Sequence, residues 1–138
     1  MVKKQKKIKK IKLKSISLLK KQAQSIFNNW IRNRDILLGH TFICISCEKE
    51  LPIEKMNCGH YFPVKRFQHL RYNEDNAHGE CMACNGFNPA HLIYYTKHLI
   101  EKIGIYKYNN LYQSSLIKPE KDFTREELEE IKLKYKLK

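Results

Sequence analysis

The sequence predicts an α+β fold: a small core of paired strands, stapled by a zinc ion and flanked by N- and C-terminal helices. Three observations predict it. Two Cys-x2-Cys pairs, Cys44 with Cys47 and Cys81 with Cys84, bracket the middle of the chain. Short aromatic and β-branched runs lie beside and between those pairs. Before and after them, apolar residues recur at the three- and four-residue spacing of a helix face. With 138 residues there is room for one compact domain plus a tail, near the lower size at which a core sustains itself.

Residues 2 to 14 hold eight lysines and no acid, so residues 1–14 are expected to form a solvated basic leader that orders only on a phosphate backbone. The single domain then spans 15–138, with its zinc-clamped core at about 41–104. From Ser15, the residues Ile16, Leu19, Ala23, Ile26, Phe27, Trp30 and Ile31 share one helical face, and the helix is expected to reach about Leu38 before Gly39 ends it. Its opposite face offers Lys20, Lys21, Arg32 and Arg34. Thr41 to Ile45 and Met56 to Val64 read as a hairpin-like pair of strands, with Glu48 to Pro52 as the turn. Asn88 and Pro89 start a helix whose apolar face is Leu92, Tyr95, Leu99 and Ile103 and whose stop is Gly104. Ile105 to Lys121 has aromatic residues without a clean period and is assigned no element. The last helix begins at Thr124, with Glu127 placed to reach back to the cap and Phe123 placed to staple onto Leu128, and is expected to run to the C-terminus.

Composition limits the partners. Lys and Arg number 27 against 14 Asp and Glu, a formal charge of +13 that opposes compaction unless a polyanion offsets part of it. Nucleic acid or an anionic membrane surface is therefore expected. Lys65, Arg66 and Arg71, interleaved with Phe67 and Tyr72, read with the helix cations as phosphate contacts. The longest apolar stretches are far shorter than the roughly 20 residues that span a bilayer, so no membrane partner is expected. No apolar core or small-residue cleavage site follows the basic start, and the chain is expected to stay in the cytoplasm of the cell that makes it.

The cysteines carry the first chemistry. Zn2+ takes tetrahedral thiolate ligands, and a Cys-x2-Cys turn sets two sulfurs at about 2.3 Å from one ion without backbone strain. Cys44, Cys47, Cys81 and Cys84 complete that sphere and clamp both ends of the segment between them. Cys58 is left over and is read as a buried free thiol, since a soft sulfur is a poor ligand for a hard ion.

The content between the pairs goes further. The ordered run Cys44-x2-Cys47, Gly59-His60-Tyr61, Asn76, Cys81-x2-Cys84-Asn85 resembles the His-Asn-His (HNH, or His-Me finger) nucleases of the ββα-metal fold, in the zinc-stapled variety that includes phage endonuclease VII. Trp30-Ile31-Arg32-x-Arg34-Asp35, the Cys-Ile-Ser-Cys at 44 to 47 and the Cys-Met-Ala-Cys-Asn at 81 to 85 together resemble the NinG (Rap) recombination proteins of lambdoid phages, over roughly residues 27 to 135. The resemblance implies a phage or prophage product acting in the bacterial cytoplasm. It also implies a structure-specific, metal-dependent endonuclease that hydrolyses branched recombination intermediates such as Holliday junctions and D-loops.

Carried over by motif, His60 is the general base, Asn85 helps hold a catalytic Mg2+ or Mn2+, and Asn76 fastens the loop to the strand. An imidazole titrates near neutrality, and a hard divalent ion stabilises charge on phosphate and leaving oxygen. One position departs from the pattern: many zinc-stapled HNH enzymes carry a metal-binding Asp before the catalytic His, and here Gly59 stands there. Either Glu80, Asp75 or His91 replaces that ligand, or His60 itself meets the metal and acts through a water. His40, His69, His78 and His98 lack comparable context and are read as surface, turn or DNA-facing residues. Because a four-way junction has two equivalent strands to cut, a two-fold dimer joined through the 15–38 helix is expected. The competing readings are a non-catalytic zinc-ribbon DNA-binding protein and an RNA-binding zinc protein. Neither accounts for His60 and Asn85 together behind a thiolate clamp.

Overall fold

A computed structural model of the chain describes residues 11–137. Most of the basic leader therefore lies outside the described residues, and residues 11 to 14 are exposed and without regular structure. Helix α1, Ile16–Asp35, is capped by the Ser15 hydroxyl, which accepts from the Leu18 amide. Leu19, Ala23, Phe27 and Ile31, spaced four apart, are its fully buried stripe. It ends at Asp35, short of the expected Leu38. Leu37 is drawn out to bridge Thr41, and Gly39 and His40 both take positive φ to turn the chain.

Strand β1, Thr41–Ile43, pairs antiparallel with β2, Glu50–Pro52, and the turn between them carries Cys44 and Cys47. Strand β3, Met56–His60, pairs antiparallel with β4, Ala77–Cys81, from Met56 opposite Cys81 to His60 opposite Ala77. The expected pairing of the 41–45 and 56–64 stretches is thus replaced by two separate hairpins, and Glu50 to Pro52 is strand rather than turn. The strand missed in the sequence, Ala-His-Gly-Glu-Cys, is buried at all five positions. Burial on both faces erases the polar–apolar alternation that reveals a half-exposed strand.

Four helices follow: α2 (Met82–Phe87), α3 (His91–Ile103), α4 (Ile105–Leu116) and α5 (Arg125–Tyr135). Gly104, at φ 87°, makes the sharp joint between α3 and α4 that a Cβ would strain. Helix α4 fills part of the stretch left unassigned. Its one fully buried residue is Leu111, so it offered little periodicity to read. The capping box at α5 forms as its residues suggest, with Thr124 Oγ1 accepting from the Glu127 amide and Glu127 accepting from the Thr124 amide.

The β3–β4 hairpin sits between two helical layers. On one side lies a core of α1 and α5, with Phe27 edge-on to Tyr135 at 4.9 Å and Tyr72 and Ala77 completing the cluster. On the other side Tyr95 and Leu99 of α3 and Leu111 of α4 close over Ile45 and Leu70. A third cluster joins Phe42 and Met56 to Cys44, Cys81 and Cys84. The apolar face of α1, expected to join two copies, is instead consumed within the chain. Among the described residues no helix is long and apolar enough to cross a membrane.

Candidate functional site

The two cysteine pairs meet where the β1–β2 turn touches the junction of β4 and α2. All four sulfurs lie within 4.8 Å of one another, and Cys47 Sγ is 3.9 Å from Cys81 Sγ, close to the edge of about 3.8 Å implied by tetrahedral zinc–thiolate bonds. Cys44 Sγ accepts the amides of Cys81 (3.3 Å) and Cys47 (3.5 Å), contacts that favour its ionised form. Burial pushes the Cys44 thiol up to about 11 and raises that of Cys84. At Cys81 burial acts the same way, but the Cys84 amide and the neighbouring thiols outweigh it and lower the value. Four soft donors around one point, two of them costly to ionise alone, suit a structural metal ion such as zinc.

His60 stands at the opposite end of the same hairpin. Its Nε2 lies 3.1 Å from the Arg71 carbonyl, which can only accept, so Nε2 carries the proton and Nδ1 is the ring's basic atom. The ring lies beside Phe27, with centroids 6.3 Å apart. Burial is the largest influence on His60 and holds its pKa below the ordinary imidazole value; the hydrogen bonds to the Arg71 and Cys58 carbonyls oppose it, and the Arg71 guanidinium acts with it. The ring is therefore neutral at pH 7. Arg71 is itself fixed, donating from Nε to Gln24 of α1 at 2.9 Å.

A family model described as bacteriophage lambda NinG protein matches residues 1–138, the whole of the chain. The chain belongs to the NinG family. NinG proteins of Salmonella phage P22 and of Escherichia phage lambda are each 40% identical to it, over 99 and 98 residues, covering 72% and 71% of this chain. That of Escherichia phage 933W is 39% identical over 98 residues. The matches cover 46% of each relative, so this NinG chain spans about half the length of the curated relatives it resembles. No solved structure matches it.

The remaining nominated residues of this NinG chain divide by place. Asn76 is fully buried and ties the 61–76 loop: its Oδ1 accepts from the Phe62 amide at 2.8 Å, and its Nδ2 donates to the Phe62 and Leu70 carbonyls at 3.1 and 3.2 Å. The structure thus gathers His60, Arg71 and Asn76 around one loop. Asn76→Ala removes the partners of three backbone groups, the Leu70 carbonyl among them buried, and is expected to lower stability by about 2–4 kcal/mol. Urea unfolding checks this, and a loss below about 0.5 kcal/mol would mean that water replaces the amide. Asn85 is exposed on α2, which begins at the Cys81 end of the hairpin, and among the described residues no hydrogen bond links it to His60.

The cations divide as well. Lys21, Lys65 and Arg66 are exposed. Lys20 pairs with Asp122 and Arg32 with Asn29. Arg34 is committed to structure, donating to both Asp35 oxygens (2.8 and 3.1 Å) and to the carbonyls of Glu74 (3.0 Å) and Ala77 (2.8 Å), so it ties α1 to the start of β4. Lys65 and Arg66 line a cleft of about 760 Å3 together with Lys118 and Lys121, two lysines that no motif or period singles out.

The hairpin face toward α3 holds polar groups that sequence reasoning left unplaced. His78, read as a surface or turn residue, is buried, with Nδ1 3.3 Å from the Tyr95 hydroxyl. Tyr95 donates in turn to the Gly59 carbonyl at 2.7 Å. Burial and the nearby Lys102 and Arg34 charges pull His78 down to about 3, so it too is neutral. Glu80, fully buried, accepts through Oε2 from the Ser46 hydroxyl and from His91 Nδ1 (2.9 Å). Its Oε1 has no hydrogen-bond partner among the described residues, an arrangement that ordinarily costs about 1–3 kcal/mol.

Proposed function

We propose that this NinG-family chain is a metal-dependent DNA endonuclease that nicks branched recombination intermediates such as Holliday junctions and D-loops. The observation that carries the reading is the β3–β4 hairpin itself. A four-cysteine clamp fixes one end, and a neutral imidazole with its tautomer set by a backbone carbonyl stands at the other. This is the division of labour expected of a zinc-stapled HNH nuclease.

In this reading His60 Nδ1 takes a proton from the attacking water. The oxygen of that water bonds to phosphorus, the bond to the 3′-oxygen breaks, and that oxygen takes a proton from solvent, leaving a 5′-phosphate and a 3′-hydroxyl. A hard divalent ion, Mg2+ or Mn2+, supplies Lewis-acid stabilisation of the phosphate and leaving oxygen, and the exposed Asn85 amide oxygen is a donor of suitable hardness. Arg71 holds His60 through its carbonyl, while Asn76 holds the loop that presents Arg71. Lys21, Lys65 and Arg66 supply exposed charge for the backbone. Two copies on one four-way junction would set a His60 at each of its equivalent strands, through a surface other than the buried stripe of α1.

Purified protein is to be incubated with an end-labelled four-way junction, a linear duplex and a single strand, with Mg2+ or Mn2+ and with chelator. The expected result is nicking of the junction in preference to the other two, abolished by chelation. Binding without nicking on all three would overturn the reading and assign the chain to the zinc-clamped DNA-binding proteins.

A further inference from the structure

The carboxylate that position 59 lacks is present in space, carried by the facing strand. A Cβ built on Gly59 would lie 2.7 Å from Glu80 Oε1 and 2.8 Å from Glu80 Cβ, closer than any real side chain approaches. Gly59 is therefore required by Glu80, whose carboxyl group occupies the volume a side chain at 59 would fill. Glu80 lies two residues beyond His78, the residue paired with Gly59, and stands opposite Asn57 on the hairpin face that α3 covers. We propose that Glu80 and His91 are protein ligands of a hard divalent cation on the α3 face of the hairpin, the face opposite the one on which His60 meets Phe27 of α1, with Glu80 supplying from β4 the oxygen that an Asp at 59 would supply from β3.

Three features of the pair carry this. Glu80 Oε1 is buried without a hydrogen-bond partner among the described residues, and an unshared carboxylate oxygen is a donor that Mg2+ and Mn2+ accept. His91 Nδ1, which donates to Oε2 at 2.9 Å, is the nitrogen beside this carboxylate, and a cation taking up its lone pair displaces that proton. The Ser46 hydroxyl on Oε2 belongs to the cysteine turn, so the clamp would hold the carboxylate in place. Asp75, the third residue considered for this role, sits in the turn before β4, at the hairpin's other end.

The inference rests on the nuclease reading for its purpose, but its test does not depend on cleavage. Zinc-loaded protein is titrated with Mn2+, and bound metal is followed by the loss of the free-ion paramagnetic resonance signal. Wild-type protein is expected to bind Mn2+ in addition to its zinc. Glu80→Gln keeps the shape and a hydrogen bond to Ser46 but loses the charge, and His91→Gln removes the imidazole. Each is expected to weaken Mn2+ binding by about 10- to 100-fold with zinc retained. The exchange Gly59→Asp with Glu80→Gly moves the carboxylate back to β3 and is expected to restore binding to within about threefold of wild type. Should Glu80→Gln lose zinc or fold, the exchange variant decides.

Unchanged Mn2+ affinity in Glu80→Gln, or no Mn2+ binding by wild-type protein, would overturn the assignment. Junction cleavage with Mn2+ affinity indifferent to Glu80 removes this inference alone. Mn2+ binding through Glu80 without cleavage of any DNA removes the nuclease reading and leaves the site.

Discussion

Cys84→Ser is expected to release the structural ion and, with it, the fold of the whole hairpin region. The strands that meet at the clamp are short, three residues each in β1 and β2, and their core cluster is built largely from Phe42, Met56 and the cysteines themselves. Little apolar area remains there to hold the chain once the ion leaves. Structural zinc contributes about 10–16 kcal/mol in small zinc-dependent domains, as much as the entire stability of a typical domain of this size. Serine cannot replace a thiolate toward zinc, and the remaining sulfurs are left buried and crowded. Elemental analysis together with circular dichroism checks the result: zinc-free and largely unfolded protein for Cys84→Ser, one zinc per folded chain for wild type. A wild-type protein that is folded and free of zinc would contradict it.

His60→Ala is expected to leave folding, zinc and junction binding intact while cleavage falls by about 100- to 10,000-fold, the usual consequence of losing a general base. The ring is only partly enclosed, lies at the far end of β3 from the cysteines, and is held by a hydrogen bond to the Arg71 carbonyl. Its removal therefore opens a modest space beside Phe27 without touching the clamp. Because burial keeps the imidazole neutral, the wild-type rate should hold through pH 7 and decline only below the ordinary imidazole range, where the base becomes protonated. Since the folded pKa is depressed relative to the unfolded value, the same group also lowers stability as pH falls through that range, and His60→Ala should lose that component of the acid sensitivity.

Much of this architecture was legible because it rests on local rules. The Cys-x2-Cys spacing announces four converging sulfurs, Ser15 and Thr124 announce helix starts, and the stripe from Leu19 to Ile31 announces a buried face. What escaped depends on partners far away in sequence. Strand β4 looks polar because His78 and Glu80 are buried against Tyr95, His91 and Ser46 from other elements, and no local pattern reveals that. Arg34 resembled a surface cation until the carbonyls of Glu74 and Ala77 came within its reach. Gly59 looked like a missing ligand. In three dimensions it is the space that Glu80 needs, and only the pairing of β3 with β4 shows it.

The most direct test of the account is single-turnover nicking of a labelled four-way junction by wild-type protein and His60→Ala, at equal zinc content and saturating, equal binding in Mg2+. The account predicts that the variant binds as wild type does and cuts about 100- to 10,000-fold more slowly. Cutting at the wild-type rate would contradict it and remove His60 as the general base.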